Sequence, residues 1–357
     1  MVDSPFNILQ SGPTPGSMRL VFCGTPRFAV PTLERLVEAG HTVPLVVTQP
    51  DRPRGRGMEV TISPVKDAAL RLGLAVAQPE KIKNNTEFRE QLEAVRPDAI
   101  IVVGYGRIIP QWMIDLPPLG NLNLHASLLP KYRGAAPIQW AIACGESVTG
   151  VTTMRIDAGL DTGDILMQDE LPIGAEETAV ELGPRLATIG ADLMVDTLEG
   201  LDTAEVYPTP QDDSLASLAP ILKKEDGRMD FARTAEDLFN RLRGFQPWPG
   251  AFTALGGKKL IVHRLKVAAA PASPESDPAQ PVSASSAPTG SDSAATGPAT
   301  LAAILPGQVL VEGDRLLVVC AGNTRLELVE VQLEGKKRLK AAEFLRGNPL
   351  PANAWLG

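Results

Sequence analysis

Asn121, Asn123, His125 and Ser127 stand at alternate positions of the run NLNLHAS, and Leu122, Leu124 and Ala126 fill the gaps. Side chains two apart share a face of a strand, so one face is apolar and the other carries amides, an imidazole and a hydroxyl. An amide N–H and a ring N–H aimed into one cleft are two donors for one oxygen. That pair suits an oxygen gaining negative charge, as in acyl transfer to an amine, where only donors that strengthen in the transition state raise the rate. A lone strand histidine is commonly a satisfied core residue; Asn123 beside it favours chemistry for His125. The imidazole needs a partner to set its tautomer and protonation, and an aspartate commonly serves. The run DAGLDTGD (157–164) offers Asp157, Asp161 and Asp164, with Asp161 favoured. The plain alternative for that run is a tight turn, for which Asp and Gly supply the geometry.

Other chemistries lose support on inspection. Gly24-Thr25-Pro26 closes the first apolar run, and Pro26 stands where a dinucleotide fingerprint needs glycine. No Gly-rich phosphate loop ending in Lys-Ser or Lys-Thr occurs. His41, His125 and His263 are far apart, and Cys23, Cys144 and Cys320 form no close pair, so no metal is expected. With Asp157 as the first ligand of a calcium loop, the twelfth position is Gln168, where Glu is required. No Gly-x-Ser-x-Gly elbow exists, and Ser127 lies on the histidine's own strand face, which argues against a serine nucleophile.

The elements that must position these residues alternate. MRLVFCGT (18–25), TVPLVVTQ (42–49) and DAIIVVGYG (98–106) are short apolar runs of the kind buried on both faces of a sheet. Helical patterns over 28–40, 63–73 and 85–96 separate them, the second opening with the cap pair Ser63-Pro64. The expected fold class is α/β, with a doubly wound, mostly parallel sheet. Ligands of such sheets bind beyond the carboxyl ends of the strands, which brings Gly104-Tyr105-Gly106 near the end of NLNLHAS. A helix over 135–144, strands over 149–156 and 164–173, and a long helix over 177–201 interrupted by Pro184 complete a catalytic domain spanning 18–206. Residues 207–220 are expected to be a linker. The alternating runs of 221–357 point to a smaller antiparallel β-barrel domain. Within it, 267–300 contains no Lys, Arg or aromatic residue and is expected to be a disordered insertion; residues 1–17 read as a flexible extension.

A chain of 357 residues is long enough for two such domains. No apolar run approaches the ~20 residues needed to cross a bilayer, and the first residues lack the order of a signal peptide. Three scattered cysteines suit a reducing compartment, so a cytoplasmic protein is expected. The net charge of −8 is unevenly spread: residues 1–206 carry 17 Lys and Arg against 26 Asp and Glu, whereas 221–266 carry 10 against 5. One half only could meet nucleic acid; a solvated charged surface accounts for the numbers equally well.

At this point a resemblance becomes specific. GNLNLHASLLPKYRGAAPIQWAI followed by GLDTGDIL resembles the formyltransferases that use 10-formyltetrahydrofolate. VFCGTPRFAVPTLERL, TQPDRPRGRG with SPVK, and FQPWPGAF narrow the likeness, over nearly all of 18–357, to the branch acting on methionyl-tRNA. The resemblance implies a Rossmann-like formyltransferase domain with a C-terminal OB-like barrel. It implies Asn123, His125 and Asp161 as the catalytic set. Ser127, Leu128, Leu129 and Pro130 would lie at the folate site. It also turns Arg52, Arg54 and Arg56 of DRPRGRG from a solvated loop into a grip on the acceptor end of initiator methionyl-tRNA, because arginine forks match phosphates. Lys223, Lys224, Arg241, Arg243, Lys336, Lys337 and Arg338 would add sequence-independent phosphate contacts. A monomer is expected, with tRNA and folate as partners and no membrane. The nearest competitor is a formyltransferase for an amino sugar nucleotide or a small ribonucleotide amine; a non-catalytic nucleic-acid-binding module ranks below it. The 267–300 segment and Met58-Glu59, where a second basic cluster is common, depart from the family pattern.

Overall fold

The computed structural model describes residues 16–54, 59–269, 305–351 and 353–357. The chain forms two units, one running to Lys223 and including Arg243–Pro247, the other made of Lys224–Leu242 and Trp248–Gly357. The first begins with β1 (Arg19–Gly24), α1 (Val30–Glu38), β2 (Thr42–Val47), β3 (Arg52–Arg54), β4 (Glu59–Thr61) and α2 (Pro64–Arg71). It continues with β5 (Val76–Ala77), α3 (Thr86–Val95), β6 (Ala99–Val103), α4 (Gln111–Ile114) and β7 (Asn121–His125). Last come α5 (Pro137–Ala143), β8 (Val148–Arg155), β9 (Ile165–Pro172) and α6 (Ala179–Asp202).

Seven of these strands form one sheet in the order β5-β2-β1-β6-β7-β8-β9. Pairing is parallel from β5 to β7, and β8 and β9 continue the sheet antiparallel at one edge. The unbroken apolar runs follow from cover on both faces. Leu20, Phe22, Val46, Ile101 and Val103 point into one core with Leu33 of α1 and Leu186 of α6. Their neighbours Val21, Cys23, Leu45, Ile100 and Val102 point into a second with Phe88 and Leu92 of α3. Burial of Cys23 raises its thiol well above the ordinary range, so it serves as packing. Leu122 and Leu124, the apolar face of β7, are buried in the first core. Each contributes roughly 1.5–3 kcal/mol, which fixes the opposite, polar face. Gly190 lets α6 close on β7, since a Cβ there would stand 2.7 Å from Leu124.

Three features differ from expectation. The long helix is not interrupted: α6 runs through Pro184. The carbonyl that Pro184 leaves unpartnered, that of Val180, belongs to a residue 53% exposed, where water can take over. DRPRGRG (51–57) was expected as a loop, but Arg52–Arg54 pairs antiparallel with Glu59–Thr61 as the hairpin strands β3 and β4. The stretch 207–220, expected to link the domains, is bonded to the first unit. Thr209 pairs with Ile165, and Arg133 exchanges backbone bonds with Ser217 and Ala219.

The second unit holds α7 (Ala235–Gly244, whose last two residues fall in the first unit), β10 (Ala251–Leu255), β11 (Lys258–Ala268), β12 (Val309–Glu312), β13 (Arg315–Val319), β14 (Arg325–Leu333), β15 (Leu339–Lys340) and α8 (Ala341–Gly347). Its sheet is antiparallel in the order β10-β11-β14-β13-β12, with β15 on β14. Near the C-terminus Leu356 bridges to Leu255 and Trp355 to Gln308, so one segment joins the two edge strands and closes the sheet. The low-complexity segment 267–300 lies outside the described residues beyond residue 269. No helix among the described residues is long and apolar enough to cross a membrane.

Candidate functional site

The polar face of β7 is not uniform. Asn121 is 1% exposed, and its amide donates to the carbonyls of Met113 and Ile114 at 2.8 and 3.1 Å, tying α4 to the strand. Asn123 is half-buried, and its amide makes no side-chain hydrogen bond among the described residues. His125 is 5% exposed. Its Nε2 lies 2.9 Å from the carbonyl oxygen of Tyr132. A carbonyl only accepts, so Nε2 carries the proton and Nδ1 is the ring atom left to gain or lose one.

Nδ1 faces Asp161, whose Oδ2 is 3.8 Å away. The same Oδ2 accepts the backbone N–H of Gly134 at 2.8 Å. Of the three candidate aspartates only Asp161 meets the histidine. Asp157 accepts from Gly159 N–H and the Thr162 hydroxyl, closing its own turn, and the Asp164 carbonyl accepts from Arg155 N–H. Asp161 sits at φ +52, in the left-handed region, a conformation that costs about 1 kcal/mol in a non-glycine residue and is held only by surrounding contacts. Gly163 is required beside it, because a Cβ there would stand 1.9 Å from the Arg155 carbonyl oxygen. The arm that follows Asp161 is thus set by close backbone approach.

The turn after β7 is internally committed. Ser127 is fully buried and its hydroxyl donates to the Lys131 carbonyl at 2.6 Å, which excludes it as a nucleophile in this arrangement. Thr152 donates to the Ser127 carbonyl and accepts from Leu129 N–H, while Gln168 donates to the Leu129 carbonyl. Leu129 is 3% exposed. Ser127 and Leu129 therefore shape the turn rather than present side chains to a ligand; the half-buried Leu128 and Pro130 are the members able to face one.

Arg52 is exposed at the start of the hairpin; the side chain of Arg54 and all of Arg56 lie outside what is described. The hairpin's base is cross-linked. Thr48 and Ser63 share a hydroxyl hydrogen bond of 2.8 Å, and Lys66 forms a close ion pair with Asp51. Gln78 donates to Asp51 and to the Gln49 carbonyl, both at 2.9 Å. The Lys66 ammonium, then the Gln78 amide, hold the Asp51 carboxyl below the usual carboxylate range. Gln49 reaches on to the Tyr105 carbonyl at 2.8 Å, inside the turn at the end of β6.

In the second unit Lys224, Lys336 and Lys337 are exposed, as is Arg338, which pairs with Glu330. Lys223 of the first unit is exposed as well. Arg241 is half-buried and donates to the Asp226 carbonyl at 3.1 Å. Arg243 corrects the sequence expectation: it is 7% exposed, and its guanidinium donates to the carbonyls of Gly174 and Glu177. A buried guanidinium spent on backbone carbonyls holds a turn and is not offered to phosphate.

Sequence inspection missed the segment 132–134, whose consecutive residues touch His125 through the Tyr132 carbonyl, Gln211 through the Arg133 side chain, and Asp161 through Gly134 N–H. Backbone donors and acceptors leave no residue-type signal. The one available clue was Arg133, a charged residue directly before the small and apolar run Gly134-Ala135-Ala136-Pro137.

The formyl transferase family matches residues 18–198, and the formyl transferase C-terminal domain matches 221–349. The methionyl-tRNA formyltransferase of Koribacter versatilis is 60% identical over 330 residues, 92% of this chain and 96% of its own. That of Acidobacterium capsulatum is 60% identical over 340 residues, covering 95% and 100%. Among solved structures, the sugar 3N-formyl transferase WlaRD, crystallised with dTDP and 5-N-formyl-THF, superposes with a TM-score of 0.58 at 16% identity, covering 90% of this chain and 99% of its own. HypX from Aquifex aeolicus, in complex with tetrahydrofolic acid, gives 0.55 at 17% identity, covering 92% and 47%. At those identities the two structures speak for the fold alone.

Proposed function

The chain belongs to the methionyl-tRNA formyltransferases of the formyl transferase family, and on that premise we propose that its site works by direct amine attack, with Asn123, His125 and Asp161 in the chemical roles. The reaction moves a formyl group from 10-formyltetrahydrofolate, a substrate here, to the α-amino group of initiator methionyl-tRNA. The observation that carries the reading is the uncommitted amide of Asn123 two residues from a histidine whose Nδ1 faces Asp161 at 3.8 Å.

No protein nucleophile takes part. The neutral α-amine attacks the formyl carbon; a C–N bond forms and the carbonyl oxygen gains charge. Asn123 N–H and the protonated Nδ1 of His125 donate to that oxygen, a form of stabilisation removed at a cost of about 10²–10³ in rate per donor. The Tyr132 carbonyl fixes the ring by holding Nε2–H. Asp161 accepts the proton the attacking nitrogen loses, through water, and the folate N10 gains one as its bond to the formyl carbon breaks. Protons and electrons balance without oxidant or metal. At 3.8 Å the carboxylate is not a hydrogen-bond partner of Nδ1, which leaves the Nδ1 proton for the substrate oxygen and Asp161 for the water that carries the amine's proton.

The half-buried Leu128 and Pro130 border the folate on this reading, with Ser127 and Leu129 shaping the turn beneath them. Phosphates of the tRNA are met by Arg52, Arg54 and Arg56 and by Lys223, Lys224, Lys336, Lys337 and Arg338, with Arg241 in a lesser role. The test is formylation of methionyl-tRNA by wild type, His125→Ala and Asp161→Ala, with folate affinity measured in parallel. Either variant should lose about 10²-fold or more in kcat while binding folate as before. Near-wild-type turnover in either removes that residue from the mechanism.

A further inference from the structure

The geometry points to Gln211, itself held by Arg133, as the residue that positions Asp161; the inference rests on the role of Asp161 given above. Gln211 lies within 207–220, a stretch whose composition suggests a connector. Its Nε2 donates to the Asp161 carbonyl at 2.9 Å and to the Gly163 carbonyl at 2.7 Å. Its Oε1 accepts Nε and Nη2 of Arg133 at 3.0 and 2.8 Å. Both donors and the acceptor of the amide are therefore used. The amide cannot flip, because the guanidinium offers only donors and the two carbonyls only acceptors. Arg133 is 7% exposed and its Nη2 also reaches Asp213 at 2.8 Å.

What this amide holds is the carboxylate's backbone. Asp161 is in the left-handed region, and donors fix the peptide planes after both Asp161 and Gly163. The other half of the pair is set from the same place. Arg133 stands between Tyr132, whose carbonyl orients His125, and Gly134, whose N–H holds the Asp161 carboxylate. Backbone bonds from Arg133 N–H to the Ser217 carbonyl and from Ala219 N–H to the Arg133 carbonyl fasten the stretch carrying Gln211 to this segment. Residues 209–219 are thus a strap across the catalytic turn. Gln211 touches neither substrate nor reacting atoms, and it acts through Asp161.

Three variants test this in the full-length enzyme: Gln211→Ala, Gln211→Glu and the double variant Asp161→Ala/Gln211→Ala, with kcat, KM for each substrate, folate affinity and melting temperature measured. A misplacement near 1 Å costs about 10²-fold. Gln211→Ala should therefore lower kcat by about that factor with both KM values and folate affinity little changed. Gln211→Glu keeps the pairing with Arg133 but loses both donors, so it should fold and be as slow as the alanine variant. In the Asp161→Ala background, removal of Gln211 should cost nothing further, because coupled residues are not additive. Wild-type kcat in Gln211→Glu, or an equal loss with and without Asp161, overturns the inference and leaves Gln211 a structural tie. Normal turnover in Asp161→Ala alone overturns the assignment of the site, and this inference with it.

Discussion

Which nitrogen of His125 is free decides what the residue can do, and a backbone carbonyl makes that choice. Tyr132 takes Nε2–H, so the chemistry falls to Nδ1 on the Asp161 side. Asn123 and His125 were legible because strand alternation is a side-chain signal, and Asp161 because acidic residues between glycines exceed what a turn needs. The Tyr132 carbonyl and the Gly134 N–H were not, since every residue has them. His41 shows the opposite outcome for an imidazole. It is 7% exposed, its Nδ1 accepts Met18 N–H at 3.2 Å, and burial lowers its pKa below 6.5. The unfolded chain therefore takes up a proton near pH 6.5 that the folded chain resists, so stability falls as pH drops through that value toward the folded one. Urea unfolding near neutrality and one to two pH units lower should show a smaller loss for His41→Gln than for wild type. Equal losses would mean that His41 takes up its proton alike in the folded and unfolded chain.

At the scale of elements, the hairpin β3–β4 is the part that composition hid. Arginine alternating with proline and glycine carries no apolar periodicity, and Pro53 within a strand is tolerated because the two-stranded hairpin has open edges. Its footing is what the structure adds. The Thr48–Ser63 bond, the Asp51–Lys66 pair and Gln78 fasten its base, and Gln49 extends the network to the Tyr105 turn beside β7. Lys66→Met should loosen the hairpin and raise KM for methionyl-tRNA while leaving kcat and folate affinity unchanged. A fall in kcat at constant KM would place Lys66 in the chemistry instead of under the hairpin. Helix α6 carries the complementary lesson: Pro184 was expected to interrupt it, yet a proline in the second turn removes one hydrogen bond at an exposed carbonyl. Burial continues on either side, through Leu182 before it and Leu186, Leu193 and Met194 after it. Tertiary burial outweighs the local preference there.

Over the whole molecule, the mostly parallel sheet and the antiparallel second unit follow from periodicity that the sequence displays openly, strand by strand, whereas the antiparallel turn of β8 and β9 at one edge does not. Closure of the second sheet by Trp355 and Leu356 did not, because isolated bridges near a chain end have no pattern. Charge divides along the chain, with 17 basic against 26 acidic residues over 1–206 and 10 against 5 over 221–266, an arrangement that suits a polyanionic substrate held by one part and modified by another. The central claim is that the acceptor is an aminoacylated tRNA held by its phosphates as well as by its amine. The most direct measurement is kcat/KM with 10-formyltetrahydrofolate for methionyl-tRNA, free methionine and an amino sugar nucleotide over a range of salt. The account predicts formylation of methionyl-tRNA far above the small amines, with log kcat/KM falling steeply as log salt rises because phosphate contacts release counterions. Equal use of the small amines, with no salt dependence, would contradict it.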